Sequence, residues 1–594
     1  LTNGAQLNAV TSGEGNAGDI LINASNSVSV SGTNTTAPPI KLFNYTPPRF
    51  TSPPEFVDGV SSGIFTSTNS SGIGGKIEVN TSAFSVSNGA VIDSRTTANG
   101  PGGAISINTN TFEAISGGQL TTITSGKGTA GNITLRATDS VTIAGSDPSY
   151  LARLAQFGSQ LDIYGKPRVG SIGAASGLFA NTEPSSAGRG GNIQIATGQL
   201  TVQEGGRLVT STSGSGRAGD ITVNAPDILL SGAASGLFAQ TTTSADAGNL
   251  TIQPRGNGQR VRVNLQGGAQ ISASTSSSGS GGQLTITAPE SITLSGDGSI
   301  IAAGTGGSGA GGNLTLRTGT LGIQNQAQVT VSSSGTGRAG SLFVDANQIY
   351  LNNQGSIRAD TSGGGGDINL RSPLILLRNG SSITTNATGI NIPGGDININ
   401  TDNLVAVPSE NSDISANSRN FRGGNVTVRA IGIFGIEFQE QPTRLSDITA
   451  TGASSEFPGT VNITTPGIDP ARGLAQLPTN VVDASDAITQ GCRDVQGSSF
   501  VVTGRGGLPP TPQQALGDDP RWRDWRTPAG VSRQPNVPGQ GTLPPSANPA
   551  STKSARVEAT GWATLPDGKV ILTASAPNMT SPNRWGQPVN CDGS

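Results

Sequence analysis

With no His among its 594 residues, the chain has no Ser-His-Asp or Cys-His nucleophile system and no HExxH metal site. Its two thiols, Cys492 and Cys591, are too few for a structural zinc cluster of ~4 Cys/His ligands. Four phrases satisfy the spacing G-x-G-x-x-G: GEGNAG at 13–18, GKGTAG at 126–131, GSGRAG at 214–219 and GTGRAG at 335–340. A dinucleotide site uses that phrase once, between a strand and a helix whose N-terminus meets the pyrophosphate. Here each copy leads into a strand pattern, so the phrases read as turns. An Asp or Asn follows a recurrent Gly at Asp19, Asn132, Asn192, Asp220, Asn249, Asn313, Asp367, Asp396 and Asn425. Stacked in a column, these oxygens could ligate Ca²⁺. The calcium-binding β-roll, however, repeats a Gly-Gly-x-Gly-x-Asp phrase about every nine residues, a much shorter period than the one found here. Turn hydrogen bonds and amide ladders account for the column without an ion.

Polysaccharide cleavage on a β-helical scaffold needs clustered carboxylates, or Lys and Arg, in a groove. Inverting hydrolysis places two carboxyl groups ~6.5–9.5 Å apart. No Asp cluster recurs from repeat to repeat, and the adjacent pair Asp518-Asp519 lies in a Pro-rich stretch. No Lys occurs between Lys166 and Lys553, and Arg358, Arg371 and Arg378 are irregularly spaced. The chain is therefore read as non-catalytic, with no cofactor and no metal site. Its net charge of −3 gives no electrostatic reason to bind nucleic acid. No run of ~18 apolar residues is present to cross a membrane as a helix. The chain opens at Leu1 with neither Met nor a signal peptide and is expected to be a processed or truncated piece.

The elements that must carry these residues follow from a repeat. A phrase of small residues, Gly, a polar residue and then Ile, Leu or Val recurs with its Gly at 18, 75, 103, 131, 191, 219, 248, 282, 312, 340, 366, 395, 424 and 459. The clean spacings are 103−75 = 28, 219−191 = 28 and 340−312 = 28, and two gaps are nearly doubled, 75−18 = 57 and 191−131 = 60. Within a unit the apolar residues alternate, as in Ile193 and Ile195, then Leu200 and Val202, then Leu208. Period two argues strands, and the intervening Gly, Ser, Asn and Asp suit turns. Three short strands per ~28 residues describe one coil of a parallel β-helix. Burial of about six aliphatic side chains falls short of the entropy cost of ordering a lone coil, so stability must come from stacked neighbours. The fold class expected is all-β: a right-handed parallel β-helix of about fifteen coils over 1–465, with a small C-terminal β unit.

Two insertions interrupt the repeat, at 33–61 (with Phe43, Tyr45, Phe50 and Phe56) and 146–175 (with Tyr150, Phe157 and Tyr164). Only near Tyr150–Phe157 do apolar residues fall at helical spacing. Protruding loops on a rigid scaffold are where contacts usually form, so these seven aromatics are the candidate contact residues. Past 465 the chain turns Pro-rich. Residues 466–550 read as a linker or cap, and 551–594 as a unit with one hairpin around an Asp-Gly turn. A Cys492–Cys591 bridge would close a loop of about 100 residues and suits an extracellular setting. Two unpaired thiols are the other reading.

The coil phrases AGNITL at 130–135 and SGLFAQT at 235–241 resemble filamentous-haemagglutinin-like exoproteins of two-partner secretion, especially the large cyanobacterial S-layer-family kind. The likeness is tightest in GIFGIEF at 432–438, LSDITATG at 445–452, GTVNITTPGIDPARGL at 459–474, LPTNVVDAS at 477–485 and FVVTGRGGLPPTP at 500–512, and runs through ATGW at 559–562 to Asn590-Cys591. The resemblance implies export through an outer-membrane β-barrel transporter, a β-helical rod and an adhesive role at the cell surface, toward surface or matrix glycans and proteins. In some such exoproteins a C-terminal Cys pair helps retain the protein at the surface, a role that would fall to Cys492 and Cys591. No NPNGI-type phrase of the N-terminal secretion domain occurs in these residues, so this chain is expected to lack the part that would engage the transporter. The expectation is the C-terminal portion of a secreted, surface-displayed adhesin or structural exoprotein. The alternatives are a polysaccharide-acting β-helical enzyme and a purely architectural layer protein.

Overall fold

The computed structural model describes residues 1–9, 14–33, 61–66, 68, 71–96, 98–157, 173–184, 186–256 and 258–466, and the backbone of 561–564 and 570–573. The chain divides into two units, Leu1–Arg472 and Gly473–Ser594. The first is a parallel β-solenoid with coils of roughly 29 residues. One coil contributes the strands Ile193–Ala196, Gln199–Gln203 and Arg207–Val209. Each pairs in parallel with its counterpart one coil on: Ile193 with Ile221, Leu200 with Ile228 and Leu208 with Leu237. The three-residue strands form a 15-stranded sheet, fourteen of them following one per coil and Glu437–Phe438 pairing at the last edge. In several coils the first two segments run on as one long strand, as in Ile133–Ala144, Leu284–Ser295 and Leu314–Gln324. A register shift between Ala137 and Ser140 marks where the long strand turns the corner of the coil.

Alternation builds the interior. Ile193, Ile195, Leu200, Val202 and Leu208 all point inward and are buried. Because register is kept from coil to coil, like stacks on like. Ile133, Ile193, Ile221, Leu250, Leu284 and Leu314 form one aliphatic stack. The buried side chains make one continuous cluster from Ile20 to Ala450. No coil closes a core alone, so each coil depends on the two beside it.

The turns dictate the glycines. A Cβ on Gly219 would stand 1.8 Å from the carbonyl oxygen of Gly191, and one on Gly191 would stand 1.7 Å from that of Gly131. The same close approach recurs at Gly248 over Gly219 and Gly282 over Gly248. At another corner two consecutive residues take a left-handed backbone in several coils, as in Asn88-Gly89, Asn325-Gln326, Asn353-Gln354 and Asn379-Gly380. Asn tolerates that conformation better than other residues with a side chain.

The register is unbroken across both insertions. Gln119–Thr121 pairs with Gly177–Phe179, and Gln6–Asn8 pairs with Gly63–Phe65. The chain leaves and re-enters the solenoid through single antiparallel bridges, Thr33 with Ser61 and Ser146 with Ala175. Tyr150–Phe157 forms the single α-helix among the described residues. In the second unit Gly561–Thr564 and Val570–Thr573 form an antiparallel pair, with Trp562 opposite Leu572. Cys492, Cys591, Asp518 and Asp519 lie outside the described residues.

Candidate functional site

The residues whose types first suggest chemistry turn out to build the scaffold. Oδ1 of Asn192 accepts the backbone N–H of Asp220 at 2.8 Å, and Oδ1 of Asp220 accepts that of Asn249 at 2.7 Å. Asp19, Asn132, Asn249, Asn313 and Asp367 do the same for the next coil. One side-chain oxygen of each of these residues thus already accepts a turn N–H. Among the described residues no group of three His, Cys, Asp or Glu is arranged to hold a metal. The G-x-G-x-x-G phrases are stacked turns. In the phrase at 335–340, a Cβ on Gly335 would lie 2.1 Å from the Gly307 oxygen, on Gly337 1.9 Å from the Gly309 oxygen and on Gly340 1.9 Å from the Gly312 oxygen. A hydroxyl pins three of these turns: Thr124 Oγ1 donates to the Gly128 carbonyl and Thr212 Oγ1 to the Gly216 carbonyl, both at 2.6 Å, and Ser333 Oγ donates to the Gly337 carbonyl.

Both insertions spring from the corner that carries the left-handed residues. A Cβ on Gly89 would meet Thr33 at the root of the first insertion and Asp147 and Arg153 of the second. Asp147 and Arg153 form a buried ion pair, and Asp147 Oδ1 also accepts the N–H of Ser149 at 2.8 Å. This seats the helix Tyr150–Phe157 on the solenoid, with Leu151 exposed. Of the candidate contact aromatics, Tyr150 opens this helix and Phe157 ends it. Phe43, Tyr45, Phe50, Phe56 and Tyr164 lie outside the described residues. Further along the same corner, Arg378 holds Glu410 by two hydrogen bonds of 2.8 Å, and the Asn379 N–H adds a third at 2.8 Å. These donors, led by the Arg378 guanidinium, lower the Glu410 carboxyl to about 2.

A second feature lies on the outward face of the long strands. Register places Arg317, Asp345, Arg371, Asn400 and Arg429 in one line across five successive coils. A parallel line two residues earlier holds Thr315, Phe343, Asn369, Asn398 and Thr427. All of these except Thr427 border an open hollow of about 510 Å³. Phe343 is 46% exposed there, a large apolar ring on an otherwise polar face. Nδ2 of Asn398 donates to Oδ1 of Asn369 at 3.2 Å. Asp345 is the one carboxylate lining the hollow. Arg358, Arg371 and Arg378 do part company, as their spacing suggests. Arg358 lies in a short strand and pairs with Asp360, Arg378 holds Glu410 at the corner, and only Arg371 reaches this face.

The Arg line escapes a search that spaces Arg residues from one another. It is legible from the anchor Gly instead, because 317−312, 345−340, 371−366, 400−395 and 429−424 are all 5. No family model, no curated protein and no solved structure matches this chain.

Proposed function

We propose that the chain is a secreted, surface-displayed, non-catalytic β-solenoid of the filamentous-haemagglutinin-like kind, exported through an outer-membrane β-barrel and acting in adhesion. One observation carries this reading: the solenoid's register runs unchanged from one side of each insertion to the other, so the stack of coils is continuous without them. A stiff repeat scaffold presenting loops and long polar faces is suited to contact with large, repetitive partners such as surface glycans. The phrases shared with two-partner-secretion exoproteins support the same reading.

The test incubates purified 1–594 with cells and with acidic and neutral polysaccharides, recording retained protein and newly released sugar ends. Retention without release is the expected result. Release of sugar ends would replace the adhesin with a polysaccharide-acting enzyme.

A further inference from the structure

We infer that the outward face between Thr315 and Arg429 is a binding site for a linear acidic polysaccharide bearing a carboxylate on alternate sugars. This deepens the adhesive reading above and rests on it. Arg317, Arg371 and Arg429 occupy every second coil of the line, with Asp345 and Asn400 between them. With neighbouring strands about 4.8 Å apart, the guanidinium groups recur about every 10 Å along the rod. All three Arg side chains are exposed, and none is in an ion pair among the described residues. The line carries three cations and one anion in a chain whose net charge is −3. Guanidinium groups bind carboxylates through paired, charge-assisted hydrogen bonds.

The neighbouring line supplies what a sugar backbone needs. Phe343, nearly half exposed, offers apolar ring surface against which the C–H face of a pyranose can lie. Asn369 and Asn398 bond to each other through one oxygen and one amide group, leaving Asn369 Nδ2 and Asn398 Oδ1 for sugar hydroxyls. The hollow is open, which suits a polymer lying along the rod. A nucleic acid duplex presents a phosphate about every 3.4 Å along each strand, far denser than this ladder. An extended glycan charged at alternate sugars matches the step.

The test measures binding of 1–594 to hyaluronan, an unsulfated polymer with one carboxylate per disaccharide, beside neutral dextran. Binding should weaken about tenfold for each of Arg317→Ala, Arg371→Ala and Arg429→Ala, the size expected when a charge-assisted hydrogen bond is lost. It should fall with added salt, drop for Phe343→Ala and be partly kept by Arg371→Lys. Asp345→Asn removes the only opposing charge on the line and should tighten binding. Arg358→Ala, off this face, should leave it unchanged. Far-UV circular dichroism and melting confirm that each surface variant is folded. Hyaluronan binding that ignores the three Arg substitutions and Asp345→Asn overturns the inference. So does absence of hyaluronan binding, and retention on cells or dextran would then leave the adhesive reading standing. Loss of every interaction would remove both.

Discussion

Gly219 has no room for a methyl group, because the Gly191 carbonyl oxygen occupies the space a Cβ would take. Gly219→Ala is therefore expected to cost about 1–3 kcal/mol as the two coils are forced apart. Gly256, with no atom within 4 Å of its would-be Cβ and no left-handed backbone, is the control. Gly256→Ala should leave the melting temperature unchanged. Asn192 works by its oxygen alone: Asn192→Ala strands the Asp220 N–H and should cost about 1 kcal/mol, whereas Asn192→Asp keeps the acceptor. Because these oxygens already accept turn N–H groups, a chelator should not shift the melt. Glu410 supplies a pH signature. Its carboxyl is lowered from 4.5 to about 2, so its stabilising contribution is complete above about 4.5 and is lost as the pH falls toward 2. Glu410→Gln should flatten that part of the acid limb of a stability profile measured by denaturant melts.

Among its described residues the second insertion contributes a helix, Tyr150–Phe157, and no rung of the solenoid. Replacing 147–174 with a short Gly-rich turn should leave a single cooperative β-type melt, since Gln119–Thr121 still meets Gly177–Phe179. Loss of that transition would make the insertion structural. The same elements explain what the sequence discloses. Alternation in Ile193, Ile195, Leu200 and Val202 reports burial directly, because a strand sends alternate residues to opposite faces. The helix at Tyr150–Phe157 is legible for the analogous reason, its apolar residues falling at helical spacing. The outward positions are under no such constraint, so the Arg line has no pattern within any single strand. It emerges only when each coil is aligned on its own Gly. Counting along the chain fails because coils differ in length: Ile228 pairs with Val263, 35 residues on, and Leu342 with Ile368, 26 residues on. The αL corner was hidden for another reason. Asn and Ser are common throughout the chain, so their presence at one turn carries little signal.

In the solenoid as a whole, cohesion is a property of adjacent rungs, since the core is one cluster with no internal boundary. Deleting residues 193–220 joins Asn192 to Ile221, the register partner of the deleted Ile193, and lets Gly177–Phe179 meet Gly236–Phe238 directly. That shortened chain should keep its β-type spectrum and cooperative melt. Deleting only 193–206 removes two strands of a coil and keeps the third, and should abolish the transition. The interchangeable rungs have a genetic counterpart. Unequal crossing-over between similar repeat segments can add or drop a whole rung in frame. A lineage can thus change how far its molecule extends in discrete increments, while the surface pattern of every surviving segment is inherited intact.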